Sequence, residues 1–275
     1  MNLRNLLIFL FLLCFAISAV VPASAQLAAP NSAGAAIAHF HINAADIEVQ
    51  KRFWAQLGGV AVKNEKLEMV RFPGIYVVLR KQDATGPTVG SVVNHVGFHV
   101  KDINEWVPKW KTAGIPIEAG NSPQQMFLTG PDNVRVEIIE DKTIATPVAM
   151  HHIHLFVPDP IAAQAWYVKH FGAVAGKRGR FDTATVPGGE ITIAKEEKAQ
   201  ASTKGRSVDH IGFEVKDLDA FTKKLQTDGV KLEEPGLRTS ANASKLRLAY
   251  IMDPWGTYIE ITSGLPPSPA QSAAR

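Results

Sequence analysis

The chain has 275 residues, 29 basic and 26 acidic side chains, a formal net charge of +3 and a single cysteine, Cys14. So even a balance, with no basic block and no interleaved aromatic platform, excludes a nucleic-acid partner. Because Cys14 falls inside an expected leader, the rest of the chain has no disulfide, thiolate metal ligand or cysteine nucleophile to call on.

Residues 1–25 carry Arg4, an apolar run over 6–21 and a closing Ala23-Ser24-Ala25, the three parts of a secretory signal peptide. Cleavage is expected before Gln26, giving a periplasmic or secreted protein with 28 basic and 26 acidic side chains, a net charge of +2, and no membrane attachment. Residues 26–36 and 264–275 are rich in Ala, Ser, Pro and Gly and predict a flexible N-terminal segment and a disordered tail. What lies between is long enough for two domains with buried cores.

Taken in order, an apolar strand is expected around 37–42, then Asp46 as the cap of a helix carrying Phe53, Trp54 and Leu57, which Gly58-Gly59 stops. Strands near 60–62, 67–72 and 75–80 follow, with Pro73-Gly74 turning between the last two. The same order returns from 92: a strand, Asp102 heading a helix with Trp106 and Trp110, then strands near 125–129 and 134–139 around the turn residues 130–133. A third round has the Met150 strand, a helix with Trp166 and Phe171, and strands around Phe181 and Glu190. The fourth has the His210 strand, a helix with Phe221 and Leu225, and strands near 246–252 and 257–262 flanking Asp253-Pro254-Trp255-Gly256. The short stretch 141–147, ending in proline, is the expected boundary between a domain at 37–142 and a domain at 148–263.

A histidine seven residues before an aspartate marks each round: His39 and Asp46, His95 and Asp102, His152 and Asp159, His210 and Asp217. These histidines are 56, 57 and 58 residues apart, so the chain reads as four internal repeats. Strand alternation puts His39 with His41, His95 with Gly97 and His99, His152 with His154, and His210 with Gly212 and Glu214 on one face of each sheet. Glu137 and Glu260 each lie six residues after the proline of a turn, so they occupy equivalent positions on the last strands of the second and fourth rounds. A carboxylate facing inward beside histidines is costly without a charge partner, and a divalent cation is the simplest one. Iron(II), manganese, nickel and zinc all suit two imidazoles and a carboxylate, and such an ion can chelate and polarise a substrate through two adjacent oxygens.

These residues resemble the vicinal oxygen chelate superfamily, which includes glyoxalase I, extradiol ring-cleaving dioxygenases, fosfomycin-resistance thiol transferases, epimerases and bleomycin-binding proteins. Over roughly 37–263 the resemblance implies an α+β fold of four βαβββ modules paired into two glyoxalase/dioxygenase-like domains with curled mixed sheets. It implies His152, His210 and Glu260 as metal ligands in one half and His39, His95 and Glu137 in the other. If modules pair one with four and two with three, the same six residues regroup. One divalent ion per live site is implied, up to two per chain, with a small molecule bound through vicinal oxygens. His154 and Glu214 are the implied proton carriers, and Tyr250 matches the tyrosine with which the ring-cleaving branch holds a substrate oxygen.

Two departures weigh on the reaction. Ring-cleaving relatives want a histidine seven to nine residues before that tyrosine, where Ala241, Asn242 and Ala243 stand. Glyoxalase I adds a fourth ligand at a register occupied by Val78 and Thr192. The reading leans to a glyoxalase-like lyase or isomerase. An iron(II) extradiol-type dioxygenase and a non-catalytic drug- or metabolite-binding protein of the bleomycin-resistance kind are the alternatives. His41, His99 and His154 are expected on the cup wall or as plain strand residues and not as ligands, and Arg135 and Tyr258 face the cup, able to read an anionic or aromatic substrate.

Overall fold

The computed structural model describes residues 27–266; the expected leader at 1–25 and the tail beyond 266 lie outside these residues. Four modules follow one another. The first has β1 (Ala35–Ala44), α1 (Ile47–Gln56), β2 (Val60–Asn64), β3 (Leu67–Phe72) and β4 (Ile75–Lys81). The second has β5 (Val93–Val100), α2 (Ile103–Thr112), β6 (Ile117–Ala119), β7 (Gln125–Thr129) and β8 (Arg135–Glu140). The third has β9 (Val148–Val157), α3 (Pro160–Phe171), β10 (Val174–Arg178), β11 (Phe181–Val186) and β12 (Gly189–Lys195). The fourth has β13 (Val208–Val215), α4 (Leu218–Thr227), β14 (Arg238–Thr239), β15 (Arg247–Met252) and β16 (Tyr258–Ser263).

Within a module the first strand pairs in parallel with the last, as β1 does with β4 and β13 with β16. The crossover helix starts at the aspartate of the repeat: Asp46, Asp102, Asp159 and Asp217 each hold extended backbone angles and accept a backbone N–H from the first helical turn. Those helices cover the apolar face of the sheets. Phe40, Trp54, Phe72 and Phe98 meet there edge to face or tilted, and their cluster continues through Tyr167, Phe171 and Phe213, so both sheets share one core.

Two eight-stranded mixed sheets result. One runs β14-β15-β16-β13-β1-β4-β3-β2, the other β10-β11-β12-β9-β5-β8-β7-β6. Module one therefore pairs with module four and module two with module three, through antiparallel seams between β1 and β13 and between β5 and β9. Each sheet thus straddles 141–147. The grouping of one half per cup gives way to the alternative pairing, and the reason is local. The 141–147 link is short and hydrogen-bonded at both ends, Asp141 N to Val100 O and Lys101 N to Pro147 O, so it folds β9 straight back onto β5.

The described part of the segment expected to be flexible, 26–36, is anchored instead. Ala35 and Ala36 already belong to β1, and Asn31 donates from Nδ2 to the carbonyls of Phe171 and Gly172. A polar side chain can satisfy the open end of a neighbouring helix, which composition alone does not reveal.

Candidate metal centres

The two seams build two centres by the same rule. In the first sheet, register places His39 opposite Gly212 and Gly212 opposite Glu260, across three neighbouring strands. In the second, His152 lies opposite Gly97 and Gly97 opposite Glu137. The central residue must be glycine: a Cβ at Gly212 would fall inside the His39 ring and one at Gly97 inside the His152 ring. With no side chain there, each imidazole reaches over the middle strand to the glutamate beyond it.

At the first centre His39 Nε2 lies 2.7 Å and His210 Nε2 3.2 Å from Glu260 Oε2. At the second, His95 Nε2 lies 3.1 Å and His152 Nε2 3.0 Å from Glu137 Oε2. All six residues expected as ligands are therefore brought together as two buried triads, each drawing residues from both halves of the chain. A fourth ring joins the second triad, since His154 Nδ1 stands 3.1 Å from His95 Nε2 and its donor atom falls within the same group. His41 makes the matching approach at the first centre, with Nδ1 3.1 Å from His210 Nε2. Thr192 and Val78 are the strand neighbours of His154 and His41, so imidazoles stand beside the register where a fourth carboxylate is lacking.

The residues fit a cation. His210 Nδ1 lies 2.6 Å from Asp209 Oδ1, so a neutral His210 that donates there points a lone pair from Nε2 at Glu260. His95 repeats this with Asn94 Oδ1 at 2.9 Å, leaving Nε2 among Glu137, His152 and His154. Lone pairs converging on lone pairs in a buried site call for a positive ion between them. Buried atoms without a hydrogen-bond partner, among them His39 Nδ1, His41 Nε2 and His154 Nε2, add to the same picture.

Electrostatics suit this role. Without an ion the rings can instead donate to the glutamates: burial alone would raise the carboxyls of Glu137 and Glu260, yet those hydrogen bonds from their histidine pairs hold both well below the usual carboxylate range. Burial pushes His152 down to about 4 and His154 to about 2, so both rings are neutral donors at neutral pH. His210 goes the other way: burial opposes its charge, but Asp209 and Glu260 raise it. Asp209 is itself held by Asn43 Nδ2 at 3.1 Å, by Gly205 N at 2.6 Å and by Arg80 at 3.1 Å. A fixed carboxylate behind the ring sets its tautomer and orientation.

The remaining glutamate oxygens are held differently. Tyr250 donates from its hydroxyl to Glu260 Oε1 at 2.8 Å, whereas Gln125 donates from Nε2 to Glu137 Oε1 and Phe127 takes the strand position equivalent to Tyr250. Burial, then the nearby Glu260 charge, raises the Tyr250 phenol, which therefore stays protonated as a donor. Glu214 lies outside both groups. It accepts from Thr262 Oγ1 and from the backbone N–H groups of Gly264 and Leu265, tying down the end of β16, so its expected role as proton carrier is not what its contacts serve. Strand alternation gives the face but not how far along the strand the centre reaches.

Each centre opens on a cavity. That at the second is about 340 Å³ and that at the first about 190 Å³. A larger groove of about 640 Å³ between α1 and the 113–116 and 129–133 turns holds neither triad and none of the histidines.

Residues 149–261 match the model of the Glyoxalase/Bleomycin resistance protein/Dioxygenase superfamily. In fold, the chain is similar to a glutamate-to-glutamine mutant of glyoxalase I from Zea mays, at a TM-score of 0.63 and 14% identity, covering 84% of this chain and 94% of that one. It is also similar to a presumptive dioxygenase from Bacillus subtilis subsp. subtilis str. 168, at a TM-score of 0.62 and 16% identity, covering 84% and 86%. No curated protein sequence matches significantly. Residues 149–261 thus carry the sequence pattern of the glyoxalase/bleomycin resistance protein/dioxygenase superfamily, and the paired-module fold of both sheets is the one these glyoxalase and dioxygenase structures share.

Proposed function

We propose that the chain is a metal-dependent enzyme that binds a small molecule through two adjacent oxygens and carries out a glyoxalase-like lyase or isomerase reaction. The observation that carries this reading is the duplicated buried triad, in which one carboxylate oxygen faces two imidazole Nε2 atoms beside a cavity. A divalent ion such as zinc, nickel, manganese or iron(II), when held there, supplies a Lewis acid that binds and polarises the substrate oxygens. His39, His210 and Glu260 would hold one ion; His95, Glu137 and His152, with His154 as fourth donor, would hold the other. Four donors favour the glyoxalase side of the family, because His154 supplies what Thr192 lacks.

The chain's own groups then do the remaining work. Oε1 of each glutamate stands outside the donor set and is the proton acceptor the geometry offers, steadied by Tyr250 or by Gln125. The buried cup excludes water from the reacting atoms. One contact favours a second reading at the first centre: Tyr250, beside Glu260, is the tyrosine expected in an iron(II) extradiol-type dioxygenase.

Metal analysis of the purified protein, followed by assays on the hemithioacetal of a 2-oxoaldehyde and on a catechol with an oxygen electrode, tests these readings. Bound metal with hemithioacetal turnover and no oxygen uptake is expected. Iron-dependent oxygen uptake on the catechol would replace the lyase reading with the dioxygenase one. A metal-free protein whose ligand binding survives His152→Ala and Glu260→Ala would replace both with a binding protein.

A further inference from the structure

The two cavities are not alike, and the difference lies in their charge. Three guanidinium groups, those of Arg135, Arg178 and Arg180, line the cavity at the His95, Glu137, His152 and His154 centre, against the single carboxylate of Glu137. Arg135 lies over the ring of Phe127 at 4.1 Å, and that ring meets His95 edge-on at 5.4 Å. Arg180 lies over Phe181 at 5.0 Å, and that ring meets His154 edge-on at 4.8 Å. On two walls, then, one aromatic ring separates a guanidinium from a donor histidine. Arg178 is fixed between them, to Glu190 Oε1 at 3.0 Å and Thr192 Oγ1 at 2.7 Å.

The partners of these arginines leave charge to spare. Arg135 pairs only with the exposed Glu118, at 3.1 Å, and Arg180 has no carboxylate within ion-pair distance among the described residues. A divalent ion on Glu137 adds further positive charge to a partly dry cup, where an anion gains more than it would in water. The other cavity is smaller and has two guanidinium groups against the carboxylate of Glu260: Arg80 is pinned by Asn43 and Asp209, and Arg238 lies over the Tyr250 ring at 5.1 Å.

From this contrast we infer that the His95, Glu137, His152 and His154 centre takes an anionic substrate. Its vicinal oxygens sit on the ion, and a separate carboxylate or phosphoryl group is bound by Arg135 and Arg180. The His39, His210 and Glu260 centre, with a smaller cavity and one guanidinium fewer, takes a smaller one. This rests on the metal-centre reading above.

Isothermal titration of the zinc-loaded full chain with three hydroxamates tests it. Acetohydroxamate is a neutral oxygen chelator, while succinic monohydroxamate and phosphonoacetohydroxamate add a carboxylate and a phosphonate. At least one anionic probe is expected to bind tenfold or more tightly than acetohydroxamate, and which one does so separates carboxylate from phosphoryl substrates. The preference should vanish in an Arg135→Gln/Arg180→Gln variant, with acetohydroxamate affinity and zinc content unchanged. It should also vanish in His152→Ala and persist in His39→Ala. Equal binding of all three probes would overturn the anion assignment and leave the metal centre standing, and a preference lost in His39→Ala instead would assign it to the wrong cavity. Binding of none of them to a chain that holds its zinc would overturn the vicinal-oxygen reading as well.

Discussion

Two glycines decide whether these centres can exist. Gly97 and Gly212 sit between a histidine on one neighbouring strand and a glutamate on the other, and any side chain there would occupy the imidazole's place. Gly212→Ala should therefore push His39 off Glu260 and weaken metal binding at that centre by about tenfold or more, in line with the usual cost of disturbing a metal site's surroundings. The centre at His152 should be untouched, which a two-site metal titration would resolve. Asp209→Asn tests the support behind His210 in the same way: a drop of about 10- to 100-fold in affinity is expected at one centre only. The sequence already displayed the histidines and glutamates, because repetition made them visible. The glycines were equally visible as part of the same repeat, yet their purpose depends on cross-strand register, which a single strand's alternation does not contain. The closeness of His154 to His95 is hidden from the sequence for the same reason, being a contact between strands from different modules.

Acid should act on these residues in a definite direction. In the metal-free protein Glu137 and Glu260 are held well below the ordinary carboxylate range, so the stability they contribute is present above pH values of about 4 to 5 and is lost as pH falls below it. His152 and His154, with values pushed down to about 4 and about 2, add loss in the same direction once pH drops below the unfolded histidine value of about 6.5. His210, raised instead, contributes stability below that value and opposes the trend. Melting temperatures of the metal-free protein should fall from pH 6 to pH 3, less steeply in Glu137→Gln than in the parent chain.

At the scale of elements, the repeat that announces the fold joins two separate jobs. Its histidine is a candidate ligand on the sheet, while its aspartate caps the helix that the strand leads into, as Asp217 does by accepting from Ala220 N at 3.0 Å. Asp217→Ala should cost about 1 kcal/mol, as loss of an N-cap does, and lower Tm by roughly 2–4 °C in a protein of this size. Metal content should not change. A fall in metal content with this substitution would mean that helix and centre are coupled. Strand and helix positions were legible from turn residues and apolar spacing. The strands β14, β6 and β10, of two, three and five residues, were not, because such short edge strands are defined by their neighbours and not by their own sequence.

For the whole molecule, each cup is assembled from both halves of the chain. The four-module pattern could be read from sequence, but both pairings satisfied it equally, and the choice rests on how the 141–147 link returns β9 to β5. Each centre consequently needs residues far apart in the chain, and neither half carries a complete triad. Metal stoichiometry in paired variants tests this most directly, beside a parent chain expected to bind two ions. His39→Ala/Glu260→Gln should lose one ion and keep the other, since both residues belong to one centre. His39→Ala/Glu137→Gln should lose both. The reverse pattern, with two ions lost in the first variant and one in the second, would show that each half builds its own centre and would contradict the account.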